Sequence, residues 1–135
     1  MPVLGFRYSL ADWDGVIVHR IRPLWARADA NAALAPARQL QGRYPISPEQ
    51  NVMARDGYAV GGIVTGRDQF FRGFQIIFMR YDGAALHPDD QYTSDWCGAP
   101  VRSNPIQLAG HGERVIGVFG RQGLNRDAFG LLLAR

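Results

Sequence analysis

Turn-forming residues punctuate this chain from end to end, and that spacing limits it to short elements. Glycine (16) and proline (8) account for 24 of 135 residues, about 18% against an ordinary level near 12%. They follow no collagen period and form no low-complexity block. Segments this short, separated by turns, suit strands better than long helices. The remaining composition is that of a globular chain, 47% hydrophobic and 20% charged, so global disorder is excluded. A chain of this length buries most of its apolar surface without disulfides or a structural metal, and it is expected to form one domain over 1–135.

The strand signals run in order along the sequence. Leu4 to Leu10 alternates loosely, and Val16 to Trp25 opens with β-branched residues. Between them Asp12-Trp13-Asp14-Gly15 carries the Asp-Gly pair that tolerates positive φ. From Ala26 to Gln50 the chain turns Ala-rich with Pro36, Pro45 and Pro48, an irregular excursion. A short helix over Asp29 to Ala35, with Asp29 as N-cap and Pro36 as stop, is one expectation there; an ordered surface loop is the other. Tyr58 to Thr65 and Phe70 to Tyr81 predict two strands around a polar turn at Gly66-Arg67-Asp68. Ala84 to Pro105 predicts a loop-rich section, followed by strands at Ile106 to Leu108, Arg114 to Gly120 and Ala128 to Leu133. Glycines inside strands (Gly61, Gly62, Gly117, Gly130) predict bulges or close backbone packing. With no strand–helix alternation, the pattern favours an all-β barrel, sandwich or prism.

Charge excludes more than it offers. The 15 basic residues are all Arg, ten of the 12 acids are Asp, and the net charge is +3. The arginines are scattered from Arg7 to Arg135 instead of forming the stripe or arm that nucleic-acid binders use, so no nucleic-acid partner is expected. Cys97 is the lone cysteine and cannot form an internal disulfide. His19, His87 and His111 are isolated in sequence, which disfavours Cys–His catalysis. His87-Pro-Asp89-Asp90 lacks the spacing of a zinc or calcium site, so no metal or other cofactor is expected. No apolar run reaches the length of a bilayer span, and the N-terminus lacks a signal-peptide pattern. A cytoplasmic location is the default expectation. Tyr92-Thr-Ser-Asp-Trp-Cys-Gly98 reads either as a ligand loop in which Trp96 or Tyr92 stacks on a sugar ring, or as a loop pinned by a buried Trp.

The C-terminal segment carries the most specific pattern. Val115-Ile-Gly-Val-Phe precedes Gly120-Arg121-Gln122-Gly123, then Leu124-Asn125-Arg126, then Asp127-Ala128-Phe129-Gly130 and a final apolar strand. It resembles the closing hairpin of jacalin-like lectin domains. Phe74 to Gly83, and Pro105 to Leu108 with Gly112 to Gly120, are similar to two further units of that family. Together they cover roughly Gly57 to Arg135. The likeness is to a bacterial variety of the domain, of the planctomycete type. It implies a β-prism of three four-stranded antiparallel sheets that binds sugar without metal and without catalysis. The implied Gly-x-x-x-Asp loop is Gly123, Leu124, Asn125, Arg126 and Asp127. Backbone N–H groups of Asn125 and Arg126 would donate to the ligand, and the Asp127 carboxylate would accept from vicinal hydroxyls. Trp13, Asp14 and Gly15 would form the opposing loop, in place of a Gly-Gly pair. The implied partner is a mono- or oligosaccharide of the mannose/glucose or galactose type, with a homo-oligomer compatible. The other class consistent with the sequence is a structural or protein-interaction module that has the prism and no sugar site.

Overall fold

The computed structural model describes residues 1–40, 42–101, 103–119 and 130–134. Twelve strands lie among them: β1 (Gly5–Asp12), β2 (Val16–Leu24), β3 (Arg38–Leu40), β4 (Tyr44–Ile46), β5 (Gln50–Met53), β6 (Tyr58–Arg67), β7 (Phe71–Tyr81), β8 (Leu86–Thr93), β9 (Cys97–Gly98), β10 (Ile106–Ala109), β11 (Arg114–Phe119) and β12 (Gly130–Ala134). They form three antiparallel sheets. One runs β2-β1-β4-β3 with β5 also on β1, the second runs β10-β6-β7-β8 with β9 also on β7, and the third is β11-β12.

Counted by strand, the sheets hold five, five and two. Counted across, the first two are four wide, because in each a single position is filled by a broken strand. β4 and β5 take successive stretches of β1, and β8 and β9 take successive stretches of β7. A serine bridges each break in the same way. Ser47 donates its N–H to the Leu10 carbonyl at 2.7 Å while its Oγ accepts the Leu10 N–H at 2.9 Å. Ser94 does the same with Ile76, at 2.9 and 3.0 Å. The hydroxyl thus replaces a ladder carbonyl where Pro48 or the Asp95-Trp96 bend takes the chain out of line.

Bulges set which side chains face inward. β1 and β2 shift register opposite Ser9 and Leu10, leaving His19 as the extra residue. Val18 and Ile21, three apart, therefore share the core face. β6 uses Gly61 for the same purpose, bringing Val60 and Ile63 inward together. A Cβ on Gly61 would lie 2.4 Å from Met79 Sδ, so a larger residue there would make the Met79 side chain shift. Phe6 and Tyr8 from the first sheet, Phe71, Phe74, Ile76 and Phe78 from the second, and Val115 from the third meet in one core. On the opposite face of β7, Ile77 and Met79 pack with Ala59 and Leu86, so this strand is covered on both sides.

Two expectations need correction. The Asp29–Ala35 helix is a 3₁₀ turn over Arg27–Asn31. Asp29 lies inside it, its Oδ2 accepting the N–H groups of Trp25 (3.1 Å) and Ala26 (2.9 Å). The side chain caps from within the turn instead of preceding it. The Ala84–Pro105 section contains β8 and β9. β8 is an edge strand, which tolerates the Pro and the exposed acids that mark its sequence as a loop.

Candidate functional site

The β1–β2 turn is built by its own residues. Asp12 pairs with Val16, leaving Trp13, Asp14 and Gly15 as a three-residue loop. Asp14 (φ 52°) and Gly15 (φ 88°) are both left-handed, a conformation that Asp tolerates and Gly supplies at no steric cost. The Trp13 N–H closes the loop on the Gly15 carbonyl at 3.0 Å. The indole of Trp13 turns to the Tyr44 ring, centroids 4.2 Å apart, beside Ala11, Ile17 and Ile46. Asp14 and Gly15 are left to line a concavity of about 410 Å³, whose other walls are Asp68 with Arg72 and the segment Ala99–Val101 with Ser103.

Arg72 reaches this place because β7 bulges there. Gly66 pairs with Gly73 and Arg67 with Phe71, so Arg72 is the extra residue, re-aimed by the irregular register. Its Nη1 donates to the Asp14 carbonyl at 2.6 Å and to the Val16 carbonyl at 3.4 Å. Its Nε is shared by the two Asp68 carboxylate oxygens, each at 3.0 Å, and its guanidinium stands 5.1 Å from the Phe70 ring centre. The turn favours glycine for its φ, and a Cβ there would also come within 3.1 Å of Nη1. Asp68 also accepts the Phe70 N–H at 2.9 Å. That backbone bond, the largest effect, holds the carboxyl below the usual aspartate range together with Arg72, against the opposing effect of desolvation.

The third wall is pinned from behind. Trp96 lies over the paired glycines, where a Cβ on Gly66 or Gly73 would approach its ring to 2.7 or 2.6 Å. Its Nε1 donates to the Ala99 carbonyl at 3.0 Å, and the Ala99 N–H donates to the Arg72 carbonyl at 3.0 Å. The Ser103 hydroxyl donates to the Arg67 carbonyl at 2.7 Å. Trp96 is thus a support for the Ala99–Val101 wall and not itself among its lining residues.

The other residues singled out by sequence are placed elsewhere. Gly123, Leu124, Asn125, Arg126 and Asp127 lie outside the described residues. Tyr92 is capped by Arg55, whose guanidinium stands 4.1 Å from the ring centre and whose N–H donates to the Tyr92 hydroxyl at 2.7 Å. Cys97 is buried, and burial pushes its thiol up from the ordinary value, with a contact to the Tyr8 hydroxyl pulling the other way. That disfavours the thiolate a nucleophile requires. His87 Nε2 lies 2.7 Å from Asp82 Oδ2, and Asp90 pairs with Arg80 and Tyr58. Among the described residues no three His, Cys, Asp or Glu converge as a metal site. Asp68, Arg72 and Ser103 were not singled out from sequence. The only local signal was an arginine two residues into an apolar strand beside a Gly-Arg-Asp turn.

Comparison with known proteins gives the frame. No family model and no curated protein matches the sequence. Two solved structures do match in three dimensions. The lectin MPA, in complex with T-antigen disaccharide, is 10% identical, with 100% of this chain and 93% of that chain covered and a TM-score of 0.57. A variant of Malaysian banana lectin is 14% identical, with 99% and 85% covered and a TM-score of 0.54. The fold is a jacalin-like β-prism. At these identities the likeness is one of architecture, and the jacalin-like prism is what this chain shares with the two lectins. Among the described residues no helix is long and apolar enough to cross a membrane.

Proposed function

We propose that this chain is a single, non-catalytic carbohydrate-binding domain of the jacalin-like type, of the bacterial variety, acting without metal. Sugar hydroxyls are received by the loop Gly123 to Asp127, the Asp127 carboxylate accepting from two of them and the Asn125 and Arg126 N–H groups donating. The Trp13-Asp14-Gly15 turn stands opposite. The observation that carries this reading is the left-handed Asp14-Gly15 turn, clamped by Arg72 at 2.6 Å, in a β-prism shared with two lectins. A turn held rigid in advance loses little entropy when a polyol docks on it. The partner is a mono- or oligosaccharide of mannose/glucose or galactose type.

A glycan array followed by calorimetry on the best ligand tests the proposal. Asp127→Ala removes two charge-assisted bonds and is expected to weaken binding by more than about tenfold. No binding to any glycan at millimolar concentration would overturn the proposal, and undiminished binding by the variant would move the site elsewhere.

A further inference from the structure

We propose that Arg72 and Asp68 are positioning residues of the sugar site. They hold the Trp13-Asp14-Gly15 turn in its binding geometry, and neither has to touch the sugar to do so. This role rests on the lectin reading, because the turn they hold is the one placed opposite Gly123 to Asp127.

The turn has little with which to hold itself. Its three residues close on one backbone bond, from the Trp13 N–H to the Gly15 carbonyl at 3.0 Å. Asp14 (φ 52°) and Gly15 (φ 88°) are both left-handed, a conformation that costs Asp strain and that Gly leaves freely. Both are exposed. The stacking of Trp13 on Tyr44 anchors one side of the loop, and the tip is left to Arg72. Nη1 donates to the carbonyls on either side of Gly15, those of Asp14 at 2.6 Å and Val16 at 3.4 Å, from another sheet.

A clamp is as firm as its own anchorage, and Arg72 is anchored at every level. Its Nε lies between the two Asp68 oxygens at 3.0 Å each, while Asp68 takes the Phe70 N–H at 2.9 Å. The guanidinium stands 5.1 Å from the Phe70 ring centre, and the side chain is only 13% exposed. The planar fork lets one side chain face a carboxylate with Nε and two carbonyls with Nη1; an ammonium, a point charge, cannot occupy both places. The main chain of Arg72 supports the other side of the notch. Its carbonyl accepts the Ala99 N–H at 3.0 Å, and a Cβ on Gly98 (φ 103°) would run into the same oxygen. The extra residue of the β7 bulge thus fixes two walls, one by its side chain and one by its backbone.

Arg80, near the other end of β7, is held in the same manner and supplies the control. Its Nε donates to Asp90 Oδ2 at 2.6 Å and its Nη2 to the Tyr58 hydroxyl at 3.1 Å, with the guanidinium 4.7 Å from the Tyr58 ring centre. Among the described residues these bonds end on side chains, and none holds the β1–β2 turn.

Calorimetry with the best glycan of the array, on the full chain and well below its thermal unfolding, tests the role. Arg72→Lys is expected to weaken binding about tenfold, the cost of ordering about one backbone residue. The factor should be the same for every glycan that the wild type binds, because no sugar contact is altered. Asp68→Asn keeps an acceptor for the Phe70 N–H and loses the shared carboxylate; it should weaken binding in the same direction, and less. Arg80→Lys should leave the affinity unchanged. In the free protein, amide nitrogen relaxation should find Asp14 and Gly15 as ordered as the flanking strands in the wild type and in Arg80→Lys, and less ordered in Arg72→Lys. Unchanged affinity in Arg72→Lys overturns the proposal. A loss that reorders the glycans overturns it too, since Arg72 would then be a contact residue. An equal loss in Arg80→Lys also overturns it, by assigning the effect to general destabilisation. Failure of the lectin reading shows differently. A wild type that binds no glycan overturns both, whereas binding undiminished in Asp127→Ala but weakened in Arg72→Lys overturns the placement at Asp127 alone.

Discussion

Arg7 shows how one residue fixes a segment that has little packing of its own. It is 1% exposed, in the middle of β1, on the face opposite Phe6 and Tyr8. Its guanidinium meets carbonyl and amide oxygens: Asn51 Oδ1 and the Ala32 carbonyl at 2.8 Å each, and those of Asp29 and Ala33 at 3.3 Å each. Asn51 adds a bond from Nδ2 to the Ala30 carbonyl at 3.0 Å. The 3₁₀ turn Arg27–Asn31 buries no residue, so these bonds and not apolar contact hold it to the sheet. Arg7→Met keeps much of the side-chain volume and removes the donors. It should destabilise by about 3 kcal/mol, the scale of losing several hydrogen bonds to a buried charge. Urea denaturation measures the loss, and hydrogen exchange should locate it, with amides of 27–35 losing protection ahead of β1. Unchanged protection there would show that the excursion is held by something else.

At the scale of elements, the β6–β7 hairpin carries the wall of the notch on two glycines. Gly66 and Gly73 are paired directly, and Trp96 covers both. A Cβ on Gly73 would sit 2.6 Å from the indole nitrogen, 2.7 Å from the Cys97 carbonyl oxygen and 2.9 Å from that of Ala99. Two of these neighbours are backbone and cannot rotate away. Gly73→Ala should therefore cost about 2–3 kcal/mol, at the upper end of overpacking, and release the Ala99–Val101 segment. Thermal denaturation and Trp emission together test this; a stable variant with shifted emission would mean that the indole moves aside without disturbing the wall.

The same hairpin shows what the sequence reveals and what it hides. β1, β2, β6 and β7 were legible because they are apolar runs bounded by turn residues. The Asp14-Gly15 turn was legible because positive φ there is a local property of Asp-Gly. β8 was not, because Leu86-His-Pro-Asp-Asp spends one side in water and lacks alternation. Arg72 was not, because its role depends on a bulge and on a carbonyl 58 residues away. Trp96 was legible only as a choice between ligand and anchor, which the contact with Gly66 and Gly73 decides in favour of the anchor. The Gly123 to Asp127 loop, the most specific pattern in the sequence, lies outside the described residues.

At the scale of the whole molecule, four of the scattered arginines among the described residues have acidic partners close by. Arg72 pairs with Asp68, Arg80 with Asp90, Arg27 with Asp56 and Arg22 with Glu49, while His87 meets Asp82. Asp68 pairs with Arg72, four residues on, across the turn. Three of these aspartates are held below the ordinary carboxylate value. Asp82 is lowered by the N–H of Ala85 and then by His87, Asp90 by Arg80 and then Tyr58, and Asp68 by the N–H of Phe70 ahead of Arg72. A carboxyl depressed in the fold contributes stability that is complete above its unfolded value, about 3.9, and is lost as pH falls through the folded value. Burial acts oppositely on two other groups, raising the Tyr8 hydroxyl and the Cys97 thiol. Their neutral forms are favoured in the fold, so their contribution is complete below the unfolded values and fades above about pH 8.5 for the thiol and about pH 10 for the phenol. The urea midpoint, measured against pH, should be level between about pH 5 and about pH 8 and fall on both sides. Asp82→Asn should lower the plateau and make the acid limb shallower, because one of the linked protons is gone. A midpoint that holds or rises below about pH 4 would refute the linkage, and an alkaline limb unchanged by Cys97→Ala would assign that side to Tyr8 alone.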